Sequence, residues 1–304
     1  MPLSASPVVR RVRLGAELRR LRHRDSLTLE QVCARLGWAS TSKLSRIELG
    51  QSRPDLADVL DLLDVYEVPP DRRGELIVIA RDAATGRSWS KALGEMGERQ
   101  RAYAELEAGA ARIVEYQPAV VPGLLQTPAY ARLRVTAGSL LCDDVDVEAD
   151  VRARALRQEV LRRPDPPQYT ALLDERVCDP AGTPPDVWRD QLRHLLALAE
   201  RPHITVRLLS RDADPGVHPL AAFAYYAHPD PADPRTVLVE TLTTDLRLVA
   251  AADIARYERL IDRMLAVALP AEETIELLGR RLGSPPVPRP RQPRDAEVAG
   301  PGPS

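Results

Sequence analysis

The feature that most constrains this chain is a pair of short apolar stripes at helical spacing, the second of them ended by a glycine. Leu14, Leu18 and Leu21 recur at i, i+4, i+7, and Leu29, Val32, Cys33 and Leu36 at i, i+3, i+4, i+7. Each pattern buries one face of an amphipathic helix. Thr28 and Gln31 read as a capping box that opens the second helix, and Gly37 as the left-handed residue that closes it. A turn must follow, after which Leu44 and Ile47 mark the inner side of a third helix stopping at Gly50. Leu56, Val59, Leu60 and Leu63 predict a fourth helix, and Leu76, Ile77 and Ala80 a fifth. Helices this short gain their stability by packing together, so the segment reads as one all-α unit.

Charge singles out the same region. Residues 1–53 hold eleven Lys/Arg against four Asp/Glu, a balance of +7, which leaves −9 for the rest of a chain whose net charge is −2. A basic end on an acidic body is the distribution expected when that end meets a polyanion. Helix, glycine-ended turn and second helix beside a basic segment form the helix-turn-helix pattern, whose second helix enters the DNA major groove. With Leu44 and Ile47 facing inward, Thr41, Ser42, Ser45 and Arg46, with Lys43 beside them, fall on or near the outward face. Short hydroxyls let the backbone approach a base, and Arg46 can grip guanine O6 and N7, a pair worth about 1–3 kcal/mol of discrimination. Ser52 and Arg53 suit phosphate contacts, which position the protein without specifying sequence. The partner so implied is a double-stranded DNA operator. One reading helix spans too few base pairs for useful selectivity, which favours a homodimer on two half-sites.

A length of 304 residues is more than one helical domain needs. The small, polar, glycine-broken run at 85–97 reads as a linker between a helix-turn-helix domain at 8–84 and a larger domain at 98–283. In that second domain, helices are expected at 98–110, 128–138, 147–163, 185–201, 253–268 and 270–282. Strands rich in β-branched and aromatic residues are expected at 111–117, 168–174, 204–209, 221–227 and 236–242. The fold class is therefore a five-helix all-α domain followed by an α+β domain. The proline-rich residues 284–304 cannot form a core and read as a disordered tail.

Other classes find little support. No apolar run reaches the roughly 20 residues that span a bilayer, and the start lacks a signal-peptide core, so a cytoplasmic protein is expected. Cys33, Cys142 and Cys178 form no CxxC pair and read as buried thiols. The five histidines make no HExxH, and no GxSxG elbow, P-loop or GxGxxG occurs; the expectation is no enzyme, no cofactor and no metal. Asp212, Asp214 and His218 share a loop that could hold a cation, a solvated loop being the plainer reading.

Ser42-Lys43-Leu44-Ser45-Arg46-Ile47-Glu48-Leu49-Gly50 resembles the third-helix signature of the repressor-type (XRE/Cro-like) helix-turn-helix family. The resemblance implies that Arg22 on the first helix pairs with Glu48 as a structural brace. Two departures are that the turn is one residue longer than usual, leaving Ser40 and Thr41 as rival N-caps, and that Leu29 replaces a glutamine common in phage members. Farther on, Glu107…Ala110…Tyr116-Gln117-Pro118…Val121-Pro122-Gly123-Leu124-Leu125-Gln126-Thr127-Pro128…Tyr130-Ala131-Arg132 is similar to the VPGLLQTPxYAR hallmark of an actinobacterial regulator family. Arg154…Arg157-Gln158…Leu161, Asp174-Glu175, the run from Gln191 to Leu195, Gly216-Val217-His218 and Phe223 extend the likeness. It implies a transcriptional regulator, expected to repress, with a small protein from a neighbouring gene as partner. The rival implication is an antitoxin-like protein that mainly sequesters that partner. Pro122 and Gly123 can simply turn the chain so that Leu124 and Leu125 enter the core. Alternatively they edge a partner or ligand pocket with Gln126 and Arg154 as polar contacts and His218 and Phe223 at the rim.

Overall fold

A computed structural model describes residues 6–84, 96–139, 146–179, 182–219, 221–241 and 244–283. Residues 85–95 of the linker expected at 85–97, Cys142 and the tail from 284 lie outside the described residues. Five helices come first: α1 (Pro7–Arg24), α2 (Leu29–Leu36), α3 (Thr41–Glu48), α4 (Leu56–Val65) and α5 (Pro70–Ala84). Their apolar stripes meet in one core of Leu14, Leu18, Leu21, Val32, Leu44, Ile47, Val59, Leu62, Leu63 and Leu76, with the Tyr66 ring fully buried among them.

The α+β domain follows with α6 (Glu98–Gly109), β1 (Arg112–Gln117), α7 (Pro128–Ser139), α8 (Val147–Gln158), β2 (Gln168–Asp174), α9 (Pro185–Ala199) and β3 (Ile204–Leu209). It continues through β4 (Phe223–Ala227), β5 (Thr236–Val239), β6 (Leu246–Leu248), α10 (Ala251–Val267) and α11 (Ala271–Gly283). Two expectations are corrected in extent. The helix expected to reach 163 ends at Gln158 and tightens into a 3-10 turn, and the strand expected to reach 242 stops at Val239. β6 has only three residues, too few for an alternating pattern to register.

The six strands form one sheet in the order β3-β2-β1-β4-β5-β6. β1, β2 and β3 run parallel, while β4, β5 and β6 pair antiparallel. The winding therefore goes one way from β1 through β2 to β3 and then returns to the opposite side of β1. Side chains alternate between the two faces. One face carries Ile113, Tyr169, Ala171, Leu173, Val206, Ala224 and Tyr226, packed under α6, α9 and the turn at Gly123–Leu125. The other carries Val114, Tyr116, Leu172, Phe223, Tyr225 and Val237, covered by Ile254, Ile261 and Met264 of α10.

The first helix belongs to both units. Leu14, Leu18 and Leu21 fill the helical core, whereas Val8 and Val9, one or two turns earlier, are buried in the core of the sheet domain with Tyr103 and Leu106 of α6. Polar contacts reinforce the join: Arg10 and Arg13 reach the fully buried Asp233 at 3.2 and 3.0 Å, Arg13 also meets Asp230, and Arg11 lies 3.3 Å from Glu105. Three of the arginines that made the N-terminal segment basic are thus spent on the acidic domain. The charge left for a polyanion is correspondingly smaller than the sequence count.

Candidate nucleic-acid interface

The helix-turn-helix geometry is set by local chemistry. Thr28 Oγ1 accepts from the Gln31 backbone N–H at 3.3 Å while Gln31 Oε1 accepts from the Thr28 N–H at 2.9 Å, which completes the capping box. Gly37 takes φ +66°, a left-handed conformation in which a side chain would be strained. Ser40 is the N-cap of α3, its hydroxyl accepting from the Ser42 N–H at 3.2 Å, which settles the choice between Ser40 and Thr41.

α1 crosses the end of α3 at Gly15. A Cβ there would run into the Ile47 carbonyl oxygen and lie 2.5 Å from that of Glu48, so only glycine permits the approach. Seven residues along α1, Arg22 forms a two-pronged pair with Glu48, Nε to Oε1 at 2.7 Å and Nη2 to Oε2 at 2.9 Å. Arg22 Nη1 also donates to the Leu27 carbonyl at 2.9 Å. Both side chains are nearly sealed, at 9% and 4% exposure. The Glu48 hydrogen bonds hold Arg22 more firmly charged than a free guanidinium, although burial opposes this.

With Leu44, Ile47 and Glu48 turned inward, Ser42, Lys43 and Arg46 are exposed and Thr41 and Ser45 half-buried. Arg46 makes no ion pair among the described residues and points into solvent. Lys43 is less free: its ammonium is 2.5 Å from Asp58 and sits 4.3 Å from the centre of the Trp38 ring, so a base contact from Lys43 must first break that pairing. Ser52 is half-buried and Arg53 exposed, close enough to Arg11 for the two charges to repel. Exposed Arg19 and Arg35, with no ion pair among the described residues, add to the positive surface.

In the second domain the residues of the PGLLQT turn are brought together. Leu124 and Leu125 are buried in the sheet core, as the simple turn reading requires. Around them Gln126 Nε2 donates to the Val121 carbonyl at 2.7 Å, and Gln158 Nε2 to the Gly123 and Gln126 carbonyls at 3.1 and 2.8 Å. Gln191 closes the far side, donating to the Leu125 carbonyl and accepting from the Thr127 N–H. Arg154 donates to Gln126 Oε1 at 2.9 Å, so Pro122, Gly123, Gln126 and Arg154 share one neighbourhood. His218 and Phe223 do not join it. They serve the opposite face of the sheet, where His218 Nδ1 meets the buried Asp174 carboxylate at 2.9 Å and the Phe223 ring packs on Tyr116 and Tyr257. The expected rim is thus corrected: strand alternation turns Phe223 to the α10 side.

The Asp212, Asp214 and His218 loop does not assemble either. Asp214 accepts from the Gly216 N–H and faces Arg263, and among the described residues no group of three or more His, Cys, Asp or Glu could hold a metal. Cys33 and Cys178 are buried free thiols, and burial pushes Cys178 up to about 12.

Sequence reasoning missed a polar cluster beneath the turn. Arg157 is held bidentately by Glu107, with Gln100 at 2.5 Å and the Tyr103 ring 4.6 Å from its guanidinium carbon. Next to it Glu115, at an inward position of β1, accepts from Tyr169 Oη at 2.7 Å and from Gln117 Nε2 at 3.2 Å. Burial, then the charge of Glu240, raises Glu115 to about 7. The available signal was a carboxylate inside an otherwise apolar strand, Ile113-Val114-Glu115-Tyr116.

Two known families match the chain. Residues 13–76 match a helix-turn-helix domain and residues 100–280 a domain of unknown function, DUF5753. No curated protein and no solved structure matches the chain. No helix among the described residues is long and apolar enough to cross a membrane. The N-terminal match supports a DNA-binding regulator, and the second match covers more than half of the chain. The chain therefore belongs to the DUF5753 family, and carries a helix-turn-helix domain ahead of the domain that defines it.

Proposed function

We propose that the protein is a cytoplasmic, non-enzymatic transcriptional repressor that binds its operator as a homodimer. In this reading α3 enters the major groove of each half-site. Arg46, Ser42, Thr41 and Ser45 reach base edges, Lys43 joins them after leaving Asp58, and Ser52 and Arg53 contact phosphates. The DUF5753 domain receives the signal, a small protein or a ligand, and alters how the two reading helices are presented.

The observation that carries the reading is the exposure of Ser42, Lys43 and Arg46 on a helix whose opposite side is locked to α1, with the acidic domain in place. A groove-reading helix needs both properties, free side chains and a rigid mount. Footprinting of the full chain on its own promoter supplies the operator. On that site Arg46→Ala weakens binding by about ten- to a hundredfold, the worth of one bidentate base contact, while binding to random duplex changes little. Equal losses on both duplexes would reassign Arg46 to phosphate contact.

A further inference from the structure

We propose that the DUF5753 domain holds a binding site for a small organic ammonium ion, seated over Glu115 at the strand where the winding of the sheet reverses. This deepens the reading of that domain as the receiver and names the chemistry of what it receives.

Placement is the first argument. β1 is the strand at which the winding reverses, with parallel β2 on one side and antiparallel β4 on the other, and Glu115 lies in its middle. Glu115 lies in register with Ala171 of β2 and Ala224 of β4, so the carboxylate stands between two small residues. The bulky neighbours Tyr169 and Tyr226 occupy the adjacent row with Ile113, and Gln117 the row beyond.

Charge is the second. The nearby cations each have an acid of their own: Arg157 has Glu107, Arg154 has Asp150 at 3.4 Å, and Arg99 has Asp245 at 2.5 Å. Among the described residues two nearby carboxylates have no ion pair, Glu115 and Glu240, both hydrogen-bonded to the single Gln117 amide nitrogen, at 3.2 and 3.1 Å. With Glu115 buried beside the half-buried Glu240, the like charges favour uptake of a proton or a cation at Glu115.

The third observation is independent of the acids. Tyr103 of α6 is only 6% exposed, yet its hydroxyl has no hydrogen-bond partner among the described residues. Its oxygen lies within the field of Glu240 and Glu115, which with burial push its ionisation far up. With the Glu115 and Glu240 carboxylates, whose charges it feels, that hydroxyl oxygen offers acceptors suited to an ammonium group with three N–H donors. Glu240 is half-buried and forms the solvent side of the set, Glu115 and Tyr103 its buried side. No covalent step is involved; the ammonium replaces the proton that Glu115 otherwise carries. The groups acting on that carboxyl are Glu240 after β5, Arg157 of α8, Tyr103 of α6, Tyr169 of β2, Tyr226 of β4 and the Gln117 amide, while Glu107 pairs with Arg157 and Arg154 lies in the field of Glu240.

The test is calorimetric titration of the full chain with putrescine and with n-propylammonium at pH 6 and pH 8, with propionate as the anionic control. The expected result is saturable binding of an ammonium probe that tightens several-fold from pH 6 to pH 8 as the competing proton is lost. Glu115→Gln, which keeps the size of the side chain, should weaken that binding at least tenfold and abolish its pH dependence, and Tyr103→Phe should weaken it less. Absence of saturation by either amine at 10 mM would overturn the site, as would equal binding by wild type and Glu115→Gln, or tighter binding of propionate. The titration contains no DNA, so its failure leaves operator recognition by α3 standing.

Discussion

Replacing Glu115 by glutamine removes a buried carboxyl whose ionisation the fold resists, and the size of the effect follows from the shift. A rise from the ordinary 4.5 to about 7 corresponds to about 3 kcal/mol. The sign is that of an acid raised by folding. Between those two values the native state binds the proton and the unfolded chain releases it, so stability is intact below about 4.5 and is lost as pH rises through about 7. Glu115→Gln cannot lose a proton and escapes this penalty. Measured by urea unfolding, the stability of the variant relative to wild type should therefore rise by about 2–3 kcal/mol between pH 5 and pH 8. Taking the difference cancels His194 and His228, whose titrations burial moves downward in both proteins. A difference constant to within about 0.5 kcal/mol over that range would refute the reasoning, because it would mean that Glu115 ionises in the native state as easily as in water.

Three other outcomes follow from the geometry. Arg22→Ala strands the Glu48 carboxylate in a nearly sealed site, and urea unfolding of the helical domain should show a loss of about 3–5 kcal/mol. Gly15→Ala drives a methyl group into the backbone of α3 and should cost about 1–3 kcal/mol, with operator affinity falling more than thermal stability alone accounts for. Asp233→Asn weakens the grip on Arg10 and Arg13, and hydrogen exchange should then accelerate in the first two turns of α1 while α4 and α5 keep their protection.

The helical half was legible because each of its determinants is local. The stripe of Leu14, Leu18 and Leu21, the Thr28–Gln31 box and Gly37 act within a few residues and appear in the structure where the spacing puts them. The strands at 112–117, 168–174 and 204–209 were visible for the same reason. The grouping of the second domain was not, because it depends on which face a side chain takes in a sheet whose order is not the chain order. Phe223 illustrates this: one position along β4 divides it from Ala224, which faces the PGLLQT turn. Glu115 escaped notice because a single carboxylate in a strand reads as ordinary solvation until Ala171 and Ala224 are known to flank it. The arginines of α1 were misjudged in the same way, since a charge count does not reveal which acids wait across a domain boundary.

Because Val8 and Val9 are gripped by one core and Leu14 to Leu21 by another, α1 behaves as an axle shared by two wheels. Its middle rests directly on the carbonyls at the end of α3, at Gly15, and its far end is bolted to Glu48 through Arg22. A tilt of the sheet domain would therefore be carried along α1 to α3, the helix we propose enters the groove. In a two-fold assembly such a tilt changes the stride between paired helices, and a change of a few ångströms is enough to put them out of step with successive turns of the duplex.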